Sequence, residues 1–223
     1  MHLSFKRLLI YFLGIVLLAA GLTMNTQVTL GVSSIMSVAY AVSQIFSINY
    51  SDVVMAWYSL FVVIQLILHC FVLHEKNKIV YLFDVLQILF SLVFTRIMNL
   101  FFIIIPVFET ECEGFFATIW FRLIMLAVAI ILTGAGAALT LAMKLIPNPG
   151  DGIVAVLAQV IKKPVGTTKN IVDAICVAAA CLISFLLTGK IIGVGIGTLA
   201  SVLGVGRVIN YINKRFHPAQ YAE

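Results

Sequence analysis

Charge is what this sequence has least of. Of its 223 residues only 10% are charged, with 14 Lys and Arg against 9 Asp and Glu, while 62% are apolar. A soluble domain carries about 25% charged residues, so this chain has too little polar surface to cover itself in water. It reads as an integral membrane domain of roughly five to seven spans, with no room for a sizeable extramembrane module. Cysteine is scarce too: Cys70, Cys112, Cys176 and Cys181 form no CxxC pair, and only Cys112 stands in a polar loop. That excludes a disulfide framework and leaves no metal site to read. Long basic faces are also missing. The excess of five positive charges comes in ones and twos at the ends of apolar runs, which is the positive-inside pattern and not a nucleic-acid surface.

Catalytic signatures are absent as well. There is no P-loop, no HExxH and no nucleophile elbow, and Gly193-x-Gly195-x-Gly197 lacks the dinucleotide spacing. Neither enzymatic chemistry nor a cofactor is expected. His69 and His74 are five apart, which does not suit a helical metal pair, and both read as interfacial histidines.

What is present is a succession of apolar runs with breaks. No charge occurs from Leu8 to Ser51, which as one helix would extend about 66 Å against a hydrocarbon core of about 30 Å. Lys6-Arg7 ahead of the first run, with Ala19-Ala20-Gly21 inside it, shares the outline of a signal peptide, but Leu8 to Met24 with its flanks is long enough to span. Asn25-Thr26-Gln27 and Gly31 mark the break. The reading is a first span at about 5–25, a short re-entrant or interfacial segment at 33–46, and spans at about 52–73 and 79–106. A fourth span at about 120–143 follows, then a short segment at 150–161, a fifth span at 168–188 and a broken last one at 191–212. The fold class is all-α: a polytopic membrane protein of about six helices and broken half-helices. It divides into a first half (1–106), an acidic external loop (107–118, with Glu109, Glu111 and Glu113) and a second half (119–223).

Six spans sort the charges. Lys6, Arg7, Lys76, Lys78, Lys144, Lys162, Lys163, Lys169, Lys214 and Arg215 fall on one side, and the triple-Glu loop and Lys190 on the other, so both termini are expected in the cytoplasm. Setting Arg7 against Arg122 aligns Gly21 with Gly136, and a three-residue shift then sets Ser34-Ile35 against Gly152-Ile153. Three spans per half would make such repeats inverted.

Charges inside or near spans point to function, because each costs about 2.5–3.5 kcal/mol on insertion scales. Asp84 and Arg207 read as interfacial, and Arg96 as deeper, buried or facing an anion. Pro147-Asn148-Pro149-Gly150-Asp151-Gly152 stops a helix and sets Asp151 where it can cap the next one. Lys169 and Asp173, four apart, can pair on one helical face. Asp151, Gly150, Gly152, Lys169, Asp173, Gly195, Gly197, Thr198 and Arg96 are the candidates for lining a solute site.

Pro149-Gly150-Asp151-Gly152, Thr168-Lys169 with Asp173, and Gly193 through Gly197-Thr198 resemble the YczE/YitT-like bacterial integral membrane proteins, whose second half carries a GPxDG-type break and a later GxGT element. The likeness is best over residues 122–213. The first half departs from it: Leu30-Gly31-Val32-Ser33-Ser34 has no GxGT counterpart after the second span. The resemblance implies a multi-span protein of the bacterial inner membrane with a role in transport.

The expected function is a membrane transporter for a small polar or zwitterionic solute, with a site midway through the lipid between the two halves. Two alternatives stand beside it. One is a substrate-binding membrane subunit of an ATPase-driven vitamin-uptake system, whose small-residue span faces would dock a partner subunit. The other is a non-transporting accessory or scaffold protein. The expected partners are the lipid bilayer and a small-molecule substrate, with a homo-oligomer or partner subunit compatible with either reading.

Overall fold

The computed structural model describes residues 5–143, 145–163 and 165–216; Lys144 and Pro164 lie outside them, as do the residues beyond 216. Eight α-helices follow one another in these residues: α1 (Phe5–Gln27), α2 (Ser37–Phe46), α3 (Tyr50–Ile67), α4 (Lys78–Ile104), α5 (Ile119–Ala142), α6 (Pro149–Ile161), α7 (Val165–Thr188) and α8 (Ile196–Phe216). A 3-10 turn, Ser34–Met36, leads into α2, and a π-helical turn, Leu68–Val72, extends α3. Five segments are long and apolar enough to cross a membrane: Phe5–Gln27, Tyr50–Val72, Lys78–Ile104, Ile119–Ala142 and Thr167–Thr188. Ser34–Phe46, Pro149–Ile161 and Ile196–Ile212 are apolar but shorter. Large apolar side chains such as Ile103, Trp120 and Leu186 stand on the outside, where only a nonpolar solvent would favour them.

Local chemistry sets the ends. Asn49 starts α3, its Oδ1 accepting from the N–H groups of Ser51 (3.0 Å) and Asp52 (3.3 Å). Asn148 starts α6 in the same way, accepting from Gly150 N–H at 3.0 Å, and Pro149 takes the first helical position, where a missing N–H does no harm. The cap is therefore Asn148 and not Asp151, which is the third residue of the helix. Both short helices end on a left-handed residue, Ser47 (φ 52°) and Lys162 (φ 53°). His74 (φ 49°) and Gly189 (φ 71°) are left-handed as well, just past the ends of the Tyr50–Val72 segment and α7. Each pair has the spacing of Arg7 and Arg122, and so do the starts of the two short segments, Ser34 and Pro149. The three-residue shift expected between the halves is not needed.

The compact units are not the sequence halves. One consists of Met1–Ser33, Ile97–Leu145 and Gly193–Glu223, the other of Ser34–Arg96 and Ile146–Ile192, so each draws on both halves of the chain.

In the first unit α1 packs along α5, and α5 against α8. Small residues bring α1 and α5 together: a methyl at Gly14 would stand 2.9 Å from Thr140 Cγ2, and one at Gly136 would run into the backbone of Leu18. The small-residue faces expected to dock a partner subunit are thus occupied by each other. In the second unit α2 packs on α7 and α3, and α6 on α3 and α7. Its buried residues include many polar ones, among them Gln65, His69, Asp84, Gln87, Thr168 and Asp173.

Candidate functional site

The polar residues of the second unit form two linked groups around the first turn of α6. The first group comes from α3 and α4. His69 lies in the π-helical turn, a distortion that in other proteins frequently marks a functional position. Its Nδ1 is 2.6 Å from Asp84 Oδ2, and both residues are buried. The sequence implies interfacial positions for both; the structure buries each against the other. A carboxylate inside an apolar helix pair is tolerated because the imidazole meets it.

From Asp84 the hydrogen bonds continue. Gln87 Nε2 donates to Asp84 Oδ1 at 3.4 Å and to Gln65 Oε1 at 3.0 Å. Gln65 Nε2 donates in return to Gln87 Oε1 at 3.2 Å and to the carbonyl oxygen of Pro149 at 3.4 Å. Both hydrogens of each amide are used, so the paired glutamines form a saturated bridge from Asp84 to α6. Gly152 makes room for it: a Cβ there would stand 2.6 Å from Gln65 Oε1 and 2.8 Å from Gln87 Oε1.

The second group comes from α3, α6 and α7. Tyr58, fully buried, is hydrogen-bonded to Asn148 and senses the charge of Asp151. Asp151 in turn interacts electrostatically with Lys169 and Asp173. Lys169 Nζ is 3.7 Å from Asp173 Oδ2, the four-residue pair expected along α7. Asp173 is 3% exposed, and its other oxygen, Oδ1, is buried without a hydrogen-bond partner. The group carries two carboxylates against one ammonium.

Of the candidate residues, Asp151, Gly150, Gly152, Lys169 and Asp173 thus come together in one unit. Arg96 also belongs to that unit but is not buried, contrary to what the sequence implies. Its side chain is 62% exposed and lies 3.8 Å from Asp52, in the first turn of α3, where the ion pair can sit at a helix end. Gly195, Gly197 and Thr198 belong to the other unit, and their peptide groups are engaged there. Gly197 N–H donates to Leu30 O at 2.7 Å, Gly195 N–H to Thr198 Oγ1 at 3.3 Å, and Val32 N–H to Gly193 O at 2.8 Å.

In that first unit Arg122 has a different task. It is buried, and it donates from Nε to Val28 O (2.9 Å) and from Nη2 to Thr29 Oγ1 (2.5 Å) and Glu109 Oε2 (3.2 Å). Gln27 Nε2 adds a bond to Ile105 O at 2.7 Å. The carboxy-terminal end of α1 is closed by these contacts. Glu109, in the loop outside the spans, is held below the usual carboxylate range by the Thr29 hydroxyl bonded to it and then by the Arg122 charge.

The His69–Asp84 pair and the glutamine bridge were overlooked in the sequence, although a signal existed. Asp84, Gln87, Ser91 and Thr95 recur at intervals of three and four along α4, and Gln65 and His69 stand four apart on α3. Such a polar stripe within an apolar helix marks a buried polar face.

An all-helical chain with five helices able to cross a bilayer, a nonpolar exterior and buried charged groups belongs to the class of polytopic membrane proteins. Within that class it matches the family of unknown function DUF6198 over residues 5–214, and it belongs to that family. No curated protein and no solved structure matches it. The YczE/YitT likeness is one of motifs, and the family match does not extend to that name.

Proposed function

We propose that the protein is a membrane transporter that binds a small polar or zwitterionic solute at the first turn of α6, between Asp151, Lys169 and Asp173. One observation carries the reading: Asp173 Oδ1, buried in an apolar helix and unpartnered. Buried polar atoms are nearly always satisfied, and an unsatisfied one costs about 1–3 kcal/mol, more if charged. A donor on a solute, an ammonium above all, would supply the missing partner.

The arrangement of the chain supports the same reading. With Ser47 set against Lys162 and His74 against Gly189, the segments α1–α4 and α5–α8 are two copies of one plan. Within the second unit the exchange is reciprocal, the short helix of each copy packing on the long helix of the other: α2 on α7, α6 on α3. Inverted repeats with paired interrupted helices build solute sites in secondary carriers. On this plan there are six spans, with α8 as the last, and the basic ends face the cytoplasm of a bacterial inner membrane together with both termini. The site then stands on the basic-end side of the bilayer middle, since Asp173 is eight residues, about 12 Å, from the start of the 24-residue α7.

The test is a thermal-shift screen of purified protein with amino acids, betaines and polyamines, followed by uptake into proteoliposomes. At least one amine-bearing compound is expected to raise the melting temperature of the wild type and not of Asp173→Asn. A screen with no shift and vesicles with no uptake would remove the reading.

A further inference from the structure

The solute site leaves one buried titratable pair unused, His69 and Asp84. We infer that this pair is a proton-binding site, and that the Gln87–Gln65 bridge carries its protonation state to the first turn of α6. The inference rests on the reading of that turn as part of the solute site, and it names the coupling ion.

The argument starts from charge. With a neutral imidazole, Asp84 leaves a net negative charge inside an apolar helix pair; one added proton makes the pair neutral overall. The 2.6 Å contact sets imidazole and carboxylate in direct hydrogen-bond reach, so that a proton can be held between the two groups. Imidazole is also the side chain whose charge ordinarily changes between pH 5 and 8. Few other ionisable groups stand nearby. On α4 the Tyr81 ring is edge-on to His69 at 6.3 Å, its hydroxyl donating to the Glu75 carbonyl. Cys70 is the next residue of the π-helical turn, and Glu75 donates its backbone N–H to His69 O. Asp151 is the only ionisable residue within α6 itself. Access is short, because Asp84 lies six residues, about 9 Å, from the start of α4, beside the polar turn that holds Glu75 and Lys76.

The bridge turns proton binding into movement. Gln87 donates to Asp84 through one hydrogen and to Gln65 through the other, and Gln65 donates to Pro149 O. When the His69 proton leaves, Asp84 becomes the stronger acceptor and draws the Gln87 amide toward itself. The reciprocal pair with Gln65 weakens, and so does the tether on Pro149 O. Gly152, with no side chain, lets both amides lie directly on the surface of α6. Protonation therefore tightens the first turn of α6, and deprotonation loosens it.

Hydrogen–deuterium exchange of residues 149–155 in full-length protein, with protons as the only ligand, tests this. After correction for chemical exchange, protection is expected to fall about fivefold, the weight of one hydrogen bond, between about pH 5.5 and about pH 8.5. His69→Gln and Asp84→Asn should abolish the difference. Gln65→Met, which leaves the titrating pair intact, should abolish it while the histidine ring signals in a nitrogen NMR titration of the same variant still move with pH. Wild-type protection that ignores pH would overturn the proposal, as would Gln65→Met protein that keeps the pH response. A response to sodium in place of choline at constant pH would also overturn it, replacing the proton by a metal cation. The solute reading fails separately: if no compound shifts the melting temperature while the exchange difference persists, the proton site stands and the carrier site falls.

Discussion

The two units use polar chemistry in opposite ways. In the first, most of the prominent polar contacts serve the backbone: Arg122 closes α1, Gln27 reaches Ile105 O, and Leu30 O takes the Gly197 N–H, while Arg122 with Glu109 and Asn25 with Ser201 are side-chain pairs. Its helices meet through glycine, with backbone against backbone. In the second unit the polar groups meet one another: histidine on aspartate, glutamine on glutamine, lysine on aspartate, with one carboxylate oxygen left over. Backbone-directed bonds rigidify, whereas side-chain networks that include titratable groups can exist in more than one state. The comparison therefore separates a scaffold from a working part, and a substitution should betray which it touches by the sign of its effect.

The largest effect belongs to the scaffold. Gly136→Leu forces a branched side chain into the Leu18 backbone, where nothing flexible can yield, and should lower stability by about 3 kcal/mol or prevent folding. Thermal unfolding in detergent, followed by monodispersity, would measure it. Arg122→Ala comes next. It removes a charge-assisted bond to Val28 O and leaves that carbonyl without its partner, which should cost about 2 kcal/mol. Both losses should be independent of any solute. If either variant kept full stability, the first unit would not be the scaffold.

Much of this division was legible, though unevenly. The apolar runs gave the helices to within a few residues, because hydropathy and break residues are local properties. Lys169 and Asp173 were readable as a pair for the same reason, being one helical turn apart. Asp84 and Arg96 were misjudged in opposite directions, since burial depends on the neighbouring helix. Asp84 meets His69 from α3 and is buried, while Arg96 meets Asp52 at a helix end and is exposed. The glycines from Gly193 to Gly197 looked like a ligand cradle because glycine breaks are ambiguous: backbone freed from a helix can bind a solute or, as here, the Leu30–Val32 stretch. The interleaved units lay beyond local reading, because α4 leaves one unit at Arg96 and enters the other at Ile97.

The working part predicts the opposite sign. Asp173→Asn replaces a buried carboxylate that has an unpartnered oxygen with a neutral amide, so stability without solute should rise or stay level, within about 1 kcal/mol, while solute binding is lost. Paired melting curves with and without an amine-bearing solute would show it. A variant as damaged as Arg122→Ala would make Asp173 part of the scaffold and erase the contrast.

The smallest effect is a pH dependence on the scaffold side, and it sharpens the comparison because its window differs from that of the histidine pair. Glu109 is stabilised as a carboxylate by Thr29 and Arg122, which depresses its folded value below the unfolded one. Its contribution is then fully present above the ordinary carboxylate range near pH 4 and is lost as pH falls through the depressed value. Half-exposure of the side chain limits the size to less than about 1 kcal/mol. Melting curves of wild type and Glu109→Gln should therefore be separated by a constant small gap at neutral pH and converge in acid. The α6 response, by contrast, should move only across the histidine range. Should the Glu109 gap instead change between pH 5 and 8, the loop carboxylate would share the titration of the buried pair, and scaffold and working part could no longer be told apart by pH.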